Sequence, residues 1–221
     1  MKVSLSRLHF PVTTLGVGSR IGIWFQGCSI KCPGCVSKDT WETKRGGTTT
    51  ESVFTALSPW LEDADGVTIS GGEPFDQTDA LRALLESLRA ATRKDILVYS
   101  GYAWERIQPT ISAWGGLIDV VISEPFDPKA GQTLLWRGSD NQRMHLLTPL
   151  GESIYHEMVN AKRSTAPRAL DIFVQDGEVW MAGIPNPGDL KAIQSTLAQA
   201  GYFSKTSESN AGKESELPIF A

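Results

Sequence analysis

A fourth cysteine is missing from this 221-residue chain, which has only Cys28, Cys32 and Cys35. Without a fourth thiolate it cannot fully ligate a four-iron cluster of the electron-carrying kind, and an odd number argues against a disulfide frame. Histidine is scarce as well. His9, His145 and His156 stand outside the cysteine loop, at none of the short spacings that complete a zinc site. Charge of one sign is not in excess: 21 basic and 25 acidic residues leave a net charge of −4, no electrostatic footprint for nucleic acid. No apolar run approaches the length of a membrane span, and Met1-Lys2-Val3-Ser4 opens no signal-peptide core. The expected location is the cytoplasm, where thiols stay reduced. Internal repeats are also absent.

What is present starts with the cysteine loop, Gln26-Gly27-Cys28-Ser29-Ile30-Lys31-Cys32-Pro33-Gly34-Cys35. Three thiolates on one short loop can each hold one iron of a four-iron cluster and leave the last iron without a protein ligand. An open coordination position is where metal chemistry happens, so the spacing points to a catalytic cluster. A zinc module and a non-catalytic iron–sulfur module remain the alternatives. Hydrophobic residues make up 41% and charged residues 21% of the chain, ordinary values for a globular protein with one good core and room for an appended subdomain.

Arg20 to Phe25 reads as a strand that runs directly into the cysteine loop. Thr48 and Glu51 have capping-box spacing and open a helix carrying Val53, Leu57, Trp60 and Leu61, which Ser58-Pro59 breaks or restarts. Gly66 to Ser70 is a strand ending in the turn Gly71-Gly72-Glu73-Pro74. Leu81, Leu84, Leu85 and Leu88 mark one face of a helix over Thr78 to Ala91. A strand at Ile96 to Ser100, a helix through Trp104, Ile107 and Ile111, and a strand at Ile118 to Ile122 continue the alternation. This rhythm predicts an α/β fold with a parallel sheet and helices outside, its site at the carboxyl ends of the strands. Both the cysteine loop and the Gly-Gly-Glu-Pro turn fall at such ends. Further on, a helix near Gly151 to Ala161 precedes two apolar runs, Ala169 to Val174 and Val179 to Ile184, joined by an Asp176-Gly177 hairpin turn. Asp189 is expected to cap a last helix, with Gly201 as its stop. Residues 204–221 read as a disordered tail.

With Cys28, Cys32 and Cys35 and the later Gly71-Gly72-Glu73-Pro74 together, the chain resembles the radical S-adenosylmethionine enzymes. Ile23-Trp24-Phe25-Gln26-Gly27-Cys28, Cys32-Pro33-Gly34-Cys35, Tyr99-Ser100-Gly101-Tyr102 and Arg137-Gly138-Ser139-Asp140-Asn141-Gln142-Arg143 are similar to segments of the glycyl-radical activases, closest to those of anaerobic ribonucleoside-triphosphate reductase. The resemblance implies a [4Fe-4S] cluster on the three cysteines and S-adenosylmethionine on its open iron. Reductive cleavage then yields a 5′-deoxyadenosyl radical that takes a hydrogen from a glycine of a partner enzyme. It also implies a low-potential electron donor such as flavodoxin. The implied fold is a partial (β/α) barrel over residues 1–147, with the cluster loop at 26–36. A helix-hairpin-helix α+β extension over 148–203 departs from the short activases.

Gly71, Gly72, Glu73 and Pro74 are expected to face the cofactor: two glycines allow close backbone approach, and Glu73 suits an ammonium group. Ser100 and Ser123, at strand ends, could reach ribose or carboxylate. Trp41 lies near the cluster loop in sequence, and Lys31 and Lys38 flank it. Asn141 and Gln142 fit a solvated turn as well as a contact surface. Trp60, Trp104 and Trp114 are expected in the core.

Overall fold

The computed structural model describes residues 1–163, 170–175, 178–185 and 188–201. The Asp176-Gly177 turn and the expected tail at 204–221 lie outside the described residues.

Seven strands form one sheet. In chain order they are β1 (Lys2–Val12), β2 (Arg20–Phe25), β3 (Gly47–Thr49), β4 (Gly66–Gly71), β5 (Asp95–Tyr99), β6 (Val120–Ser123) and β7 (Arg143–Leu146). Their spatial order is β3-β1-β2-β4-β5-β6-β7. The central four, β2, β4, β5 and β6, run parallel, and β1, β3 and β7 add antiparallel edges. Helices α1 (Thr50–Leu57), α2 (Thr78–Ala91) and α3 (Trp104–Ala113) fall between consecutive parallel strands, as parallel pairing requires.

Alternation of side chains sends Ile21, Ile23 and Phe25 of β2, Val67 and Ile69 of β4, and Ile96 and Val98 of β5 to the helical face. There they meet Leu81, Leu84, Leu85 and Leu88 of α2, all fully buried. The opposite face holds Leu97, Val120, Ile122 and Met144, covered by Tyr155 of α4 (Pro149–Tyr155). Burial on both faces explains why the central strands read as continuous apolar runs.

The last elements are β8 (Asp171–Gln175), β9 (Glu178–Ala182) and α5 (Asp189–Gln199). The β8–β9 pair lies against the opposite face beside β1 and β2, with Ala182 joining Val12, Leu15 and Trp24 in one apolar cluster. Trp180 stands edge-on to Trp24 with ring centroids 5.3 Å apart, and Phe173 stacks on Trp180 at 4.4 Å. The Asp171 carboxylate pins the hairpin, accepting from the N–H and hydroxyl groups of Thr13 and Thr14 at 2.7 to 3.2 Å.

Beneath the sheet, at the starts of β2 and β5, Arg20 and Asp95 form a buried pair. Arg20 Nη1 and Nη2 donate to the two carboxylate oxygens at 3.0 and 2.7 Å, and the Tyr155 hydroxyl donates to the same carboxylate at 2.9 Å.

Some local details differ from expectation. Thr49, not Thr48, caps α1 by accepting from the Ser52 N–H, and Glu51 pairs instead with the Met1 ammonium at 2.7 Å. Gly188, with φ 96°, occupies the N-cap of α5, leaving Asp189 in its first turn. Trp114 is in the core as expected, while Trp60 and Trp104 are partly buried against it.

Candidate functional site

Register places the site. Phe25, the last residue of β2, pairs with Gly71, the last of β4, so the cysteine loop and the Gly-Gly-Glu-Pro turn leave the sheet at one level. Main-chain hydrogen bonds then lock them together. Gly72 N–H donates to Phe25 O and Glu73 N–H to Gly27 O, both at 2.8 Å. Gly27 N–H donates to Thr40 O at 2.7 Å and Cys28 N–H to Trp41 O at 3.3 Å. Only glycine fits here: a Cβ on Gly72 would stand 2.0 Å from Gly27 O, and Gly71, at φ 109°, would bring one to 2.4 Å from Phe25 N. Gln26 closes the far side of the loop, its amide donating to the carbonyls of Asp39 and Glu42 at 3.2 and 2.8 Å.

Within the loop Cys28 is buried and Cys32 and Cys35 are half-buried. Cys35 N–H donates to Cys32 O at 3.2 Å, and Lys31 takes a left-handed φ of 53° to turn the chain between Cys28 and Cys32. Burial pushes the Cys28 and Cys35 thiols up. Opposing this, N–H groups of Lys31 and Ile30 point at Cys28, and the Ser37 N–H and Trp41 side chain point at Cys35. Donors aimed at sulfur stabilise the thiolate that a metal requires.

The donor set fits a multi-iron cluster better than one ion. Among the described residues no three His, Cys, Asp or Glu side chains converge on a single-ion site, although the three thiols lie close enough to feel one another's charge. All three histidines are engaged elsewhere. His9 packs on Phe173, His145 stacks on Trp104, and His156 pairs with Glu152. The zinc alternative thereby loses its fourth ligand.

Glu73 does not point into open space. It is fully buried, and its two oxygens accept from Phe75 N–H at 3.0 Å, the Ser100 hydroxyl at 2.9 Å and Gly101 N–H at 2.7 Å. Burial pushes its carboxyl up to about 7, against the pull of those three donors. The carboxylate thus ties the turn after β4 to the turn after β5. Ser100 is spent in the same network: its oxygen also accepts from Tyr102 N–H at 3.1 Å. Pro74 opens a short 3₁₀ turn, Pro74–Gln77, for which the Glu73 side chain is the cap.

A second clamp escaped the sequence reading. Ser29, next to Cys28, donates through its N–H and hydroxyl to Asp76 at 2.7 and 2.9 Å, and the Tyr102 hydroxyl donates to the same carboxylate at 2.5 Å. Arg106 caps the Tyr102 ring 3.5 Å from its centroid. Tyr102 stood in a segment similar to the activases, while Asp76 had as its signal only its place two residues after the Gly-Gly-Glu-Pro turn. Of the remaining expected residues, Trp41 is brought to the cluster loop, as above. Ser123 is not brought in: its hydroxyl pairs with His145 at 2.9 Å, beside Trp104 of α3. Asn141 and Gln142 bond the carbonyls of Pro125 and Glu124, so both serve their own loop.

Comparison with known proteins identifies the family. The model of a family described as a 4Fe-4S single cluster domain matches residues 14–145. The anaerobic ribonucleoside-triphosphate reductase-activating protein of Escherichia coli K12 is 31% identical over 152 residues, covering 63% of this chain and 96% of that protein. Its namesake from Enterobacteria phage T4 is 31% identical over 134 residues, covering 58% of this chain and 85% of its own. The pyruvate formate-lyase-activating enzyme of Listeria monocytogenes is 35% identical over 96 residues, covering 39% and 38%.

Proposed function

The chain belongs, with the anaerobic ribonucleoside-triphosphate reductase-activating proteins, to the 4Fe-4S single cluster domain family, and on that premise we propose that it installs a glycyl radical on such a reductase. The observation that carries this reading is the cysteine loop locked by main-chain bonds to the Gly71-Gly72 turn. Cys28, Cys32 and Cys35 would hold the [4Fe-4S] cluster, which leaves one iron open. S-adenosylmethionine bound there would supply radical chemistry: one electron would break its sulfonium C–S bond, releasing methionine and the 5′-deoxyadenosyl radical that would take a hydrogen from a glycine Cα of the partner.

The chain's own residues bind and orient. Gly71 and Gly72 let the turn seat directly against Phe25 and Gly27, which fixes its position beside the cysteines, and Pro74 fixes the turn. Glu73 and Ser100 hold that turn against β5, so their contribution to cofactor binding is chiefly the shape of the cradle. Gly34 keeps the cysteine loop thin where it meets the loop after β6; a Cβ there would touch Phe126 at 3.3 Å.

Residues 1–147 form the radical core in this reading, the sheet curving as a partial barrel, and 148–203 form an extension beyond the residues 14–145 that the family model matches. A low-potential donor such as flavodoxin would supply the electron, in the cytoplasm. No helix among the described residues is long and apolar enough to cross a membrane.

Anaerobic reconstitution tests the reading. About four irons per chain, visible thiolate-to-iron absorption and a glycyl radical signal on the organism's own reductase are expected, all lost in Cys28→Ser, Cys32→Ser and Cys35→Ser. One zinc per chain without visible absorption would overturn it. A second reading, with a small molecule or peptide as hydrogen donor, is favoured by the hairpin covering the sheet beside Trp24. Removing residues 170–221, which keeps α4 and the buried Tyr155 in place, separates the two. Retained activation of the reductase supports the first; cofactor cleavage with lost substrate turnover supports the second.

A further inference from the structure

The β8–β9 hairpin is a sheet of its own, apart from the seven-stranded one. Among the described residues no main-chain hydrogen bond joins the two. Side chains hold it instead. The Asp171 carboxylate grips Thr13 and Thr14, and the Thr14 hydroxyl donates to Ala182 O at 3.2 Å. The His9 ring lies 3.6 Å from Phe173 and 4.7 Å from Trp180, centroid to centroid. A two-stranded hairpin is marginal by itself. One docked through side chains can leave without breaking the central ladder, at the low-stability end of the fold.

Its place on the sheet is specific. Helices α1 to α3 close one face, and Tyr155 of α4 covers the other over β5, β6 and β7. Over β1 and β2 that second face is covered by the hairpin. β8 begins with Asp171 at Thr13, passes Phe173 against His9, the partner of Gly22, and Trp180 meets Trp24. The hairpin therefore runs in the direction of β2. Its closed end, where Gln175 pairs with Glu178, is about 7 Å further toward the cysteine loop. Arg7 touches both: its guanidinium stands 5.7 Å from the Trp180 ring centroid and pairs with Asp39, next to Thr40, whose carbonyl anchors Gly27.

We propose that the surface under the hairpin, made by His9, Val12, Leu15 and Trp24 with Thr13 and Thr14 at its foot, docks the reductase segment that carries the glycine. The chain's own hairpin occupies that surface until the segment displaces it. The inference rests on the activase reading and names the contact surface that reading needs. With the rest of both faces closed, this is the sheet surface that leads a protein segment to the cysteines. What the hairpin brings shows what the surface takes: an extended run with a carboxylate two residues from an aromatic ring, as in Asp171 and Phe173. Displacing the hairpin uses up part of the reductase's binding energy, so loosening the hairpin lowers the reductase concentration required.

Hydrogen exchange of the full-length reconstituted protein, read by mass spectrometry over residues 170–182, tests this. The segment is protected in the protein alone, and saturating reductase is expected to speed its exchange at least tenfold. Asp171→Ala loses the grip on Thr13 and Thr14. It is expected to exchange faster without reductase and to reach half-maximal glycyl radical at about a third of the wild-type reductase concentration. Its cleavage of S-adenosylmethionine without reductase should match wild type. Asp171→Asn carries the same comparison should the alanine variant not fold. Protection that reductase leaves unchanged or increases overturns the inference, as does a variant with a loosened hairpin that needs as much reductase as wild type. Glycyl radical formed while the hairpin stays protected refutes this inference alone, whereas wild type that yields no glycyl radical refutes the activase reading as well.

Discussion

Replacing Gly72 with alanine probes the contact on which the site depends. The added Cβ would lie 2.0 Å from Gly27 O, 2.6 Å from Gly27 C and 2.9 Å from Thr40 O. All three are main-chain atoms and cannot rotate away, whereas a comfortable carbon contact needs about 3.5–4.0 Å. Relief requires the cysteine loop and the turn to part by more than about 1 Å, which would break the 2.8 Å bond from Glu73 N–H to Gly27 O. Overpacking costs about 1–3 kcal/mol and a lost hydrogen bond about 1 kcal/mol, giving about 2–4 kcal/mol. For a chain of this size that lowers Tm by about 4–16 °C. Calorimetry of the apoprotein measures the shift, and iron per chain after reconstitution should fall with it. Gly47→Ala is the control, since nothing lies within 4 Å of a Cβ there. A Gly72→Ala protein melting within about 1 °C of wild type and taking up its full iron would refute the reasoning.

Glu73→Gln should flatten the pH dependence of stability. The folded carboxyl sits at about 7 and its ordinary value is 4.5, so between them the unfolded chain holds fewer protons and wild type loses stability as pH rises. The loss is about 2–3 kcal/mol from about pH 5 to 8, absent in the glutamine variant. Urea unfolding of both apoproteins at the two pH values checks it; equal slopes would exclude a buried, raised Glu73. Asp95→Ala should cost about 3–5 kcal/mol by leaving the Arg20 guanidinium buried without its counter-ion. Because the pair lies at the opposite end of the strands from the cysteines, protein that still folds should bind iron normally, measured as iron per folded chain.

Helix α2 was legible because four leucines repeat at helical spacing over a run without glycine or proline. The parallel strands were legible as short apolar runs between helices. Strand β1 was not: bulges between Leu5 and Arg7 and between His9 and Val12 break its alternation, and Pro11 interrupts it. Strand β7 has four residues with only Met144 buried, too little for any periodic signal. At the site, cysteine spacing carried the chemistry, but the anchors at Thr40, Trp41, Asp76 and Tyr102 meet the loop only through tertiary folding. Glu73 shows the same limit. Its place in the turn was plain, yet only the packed structure reveals that its oxygens face β5.

The near-perpendicular indoles of Trp24 and Trp180, 5.3 Å apart at 77°, form a coupled chromophore. Such a pair gives a circular-dichroism couplet that isolated indoles do not, so it stands out against the other five of the seven tryptophans. One ring sits on the strand that leads into the cysteines and the other on the C-terminal hairpin. The protein therefore carries an unlabelled optical gauge, readable in real time, of whether that hairpin stays seated.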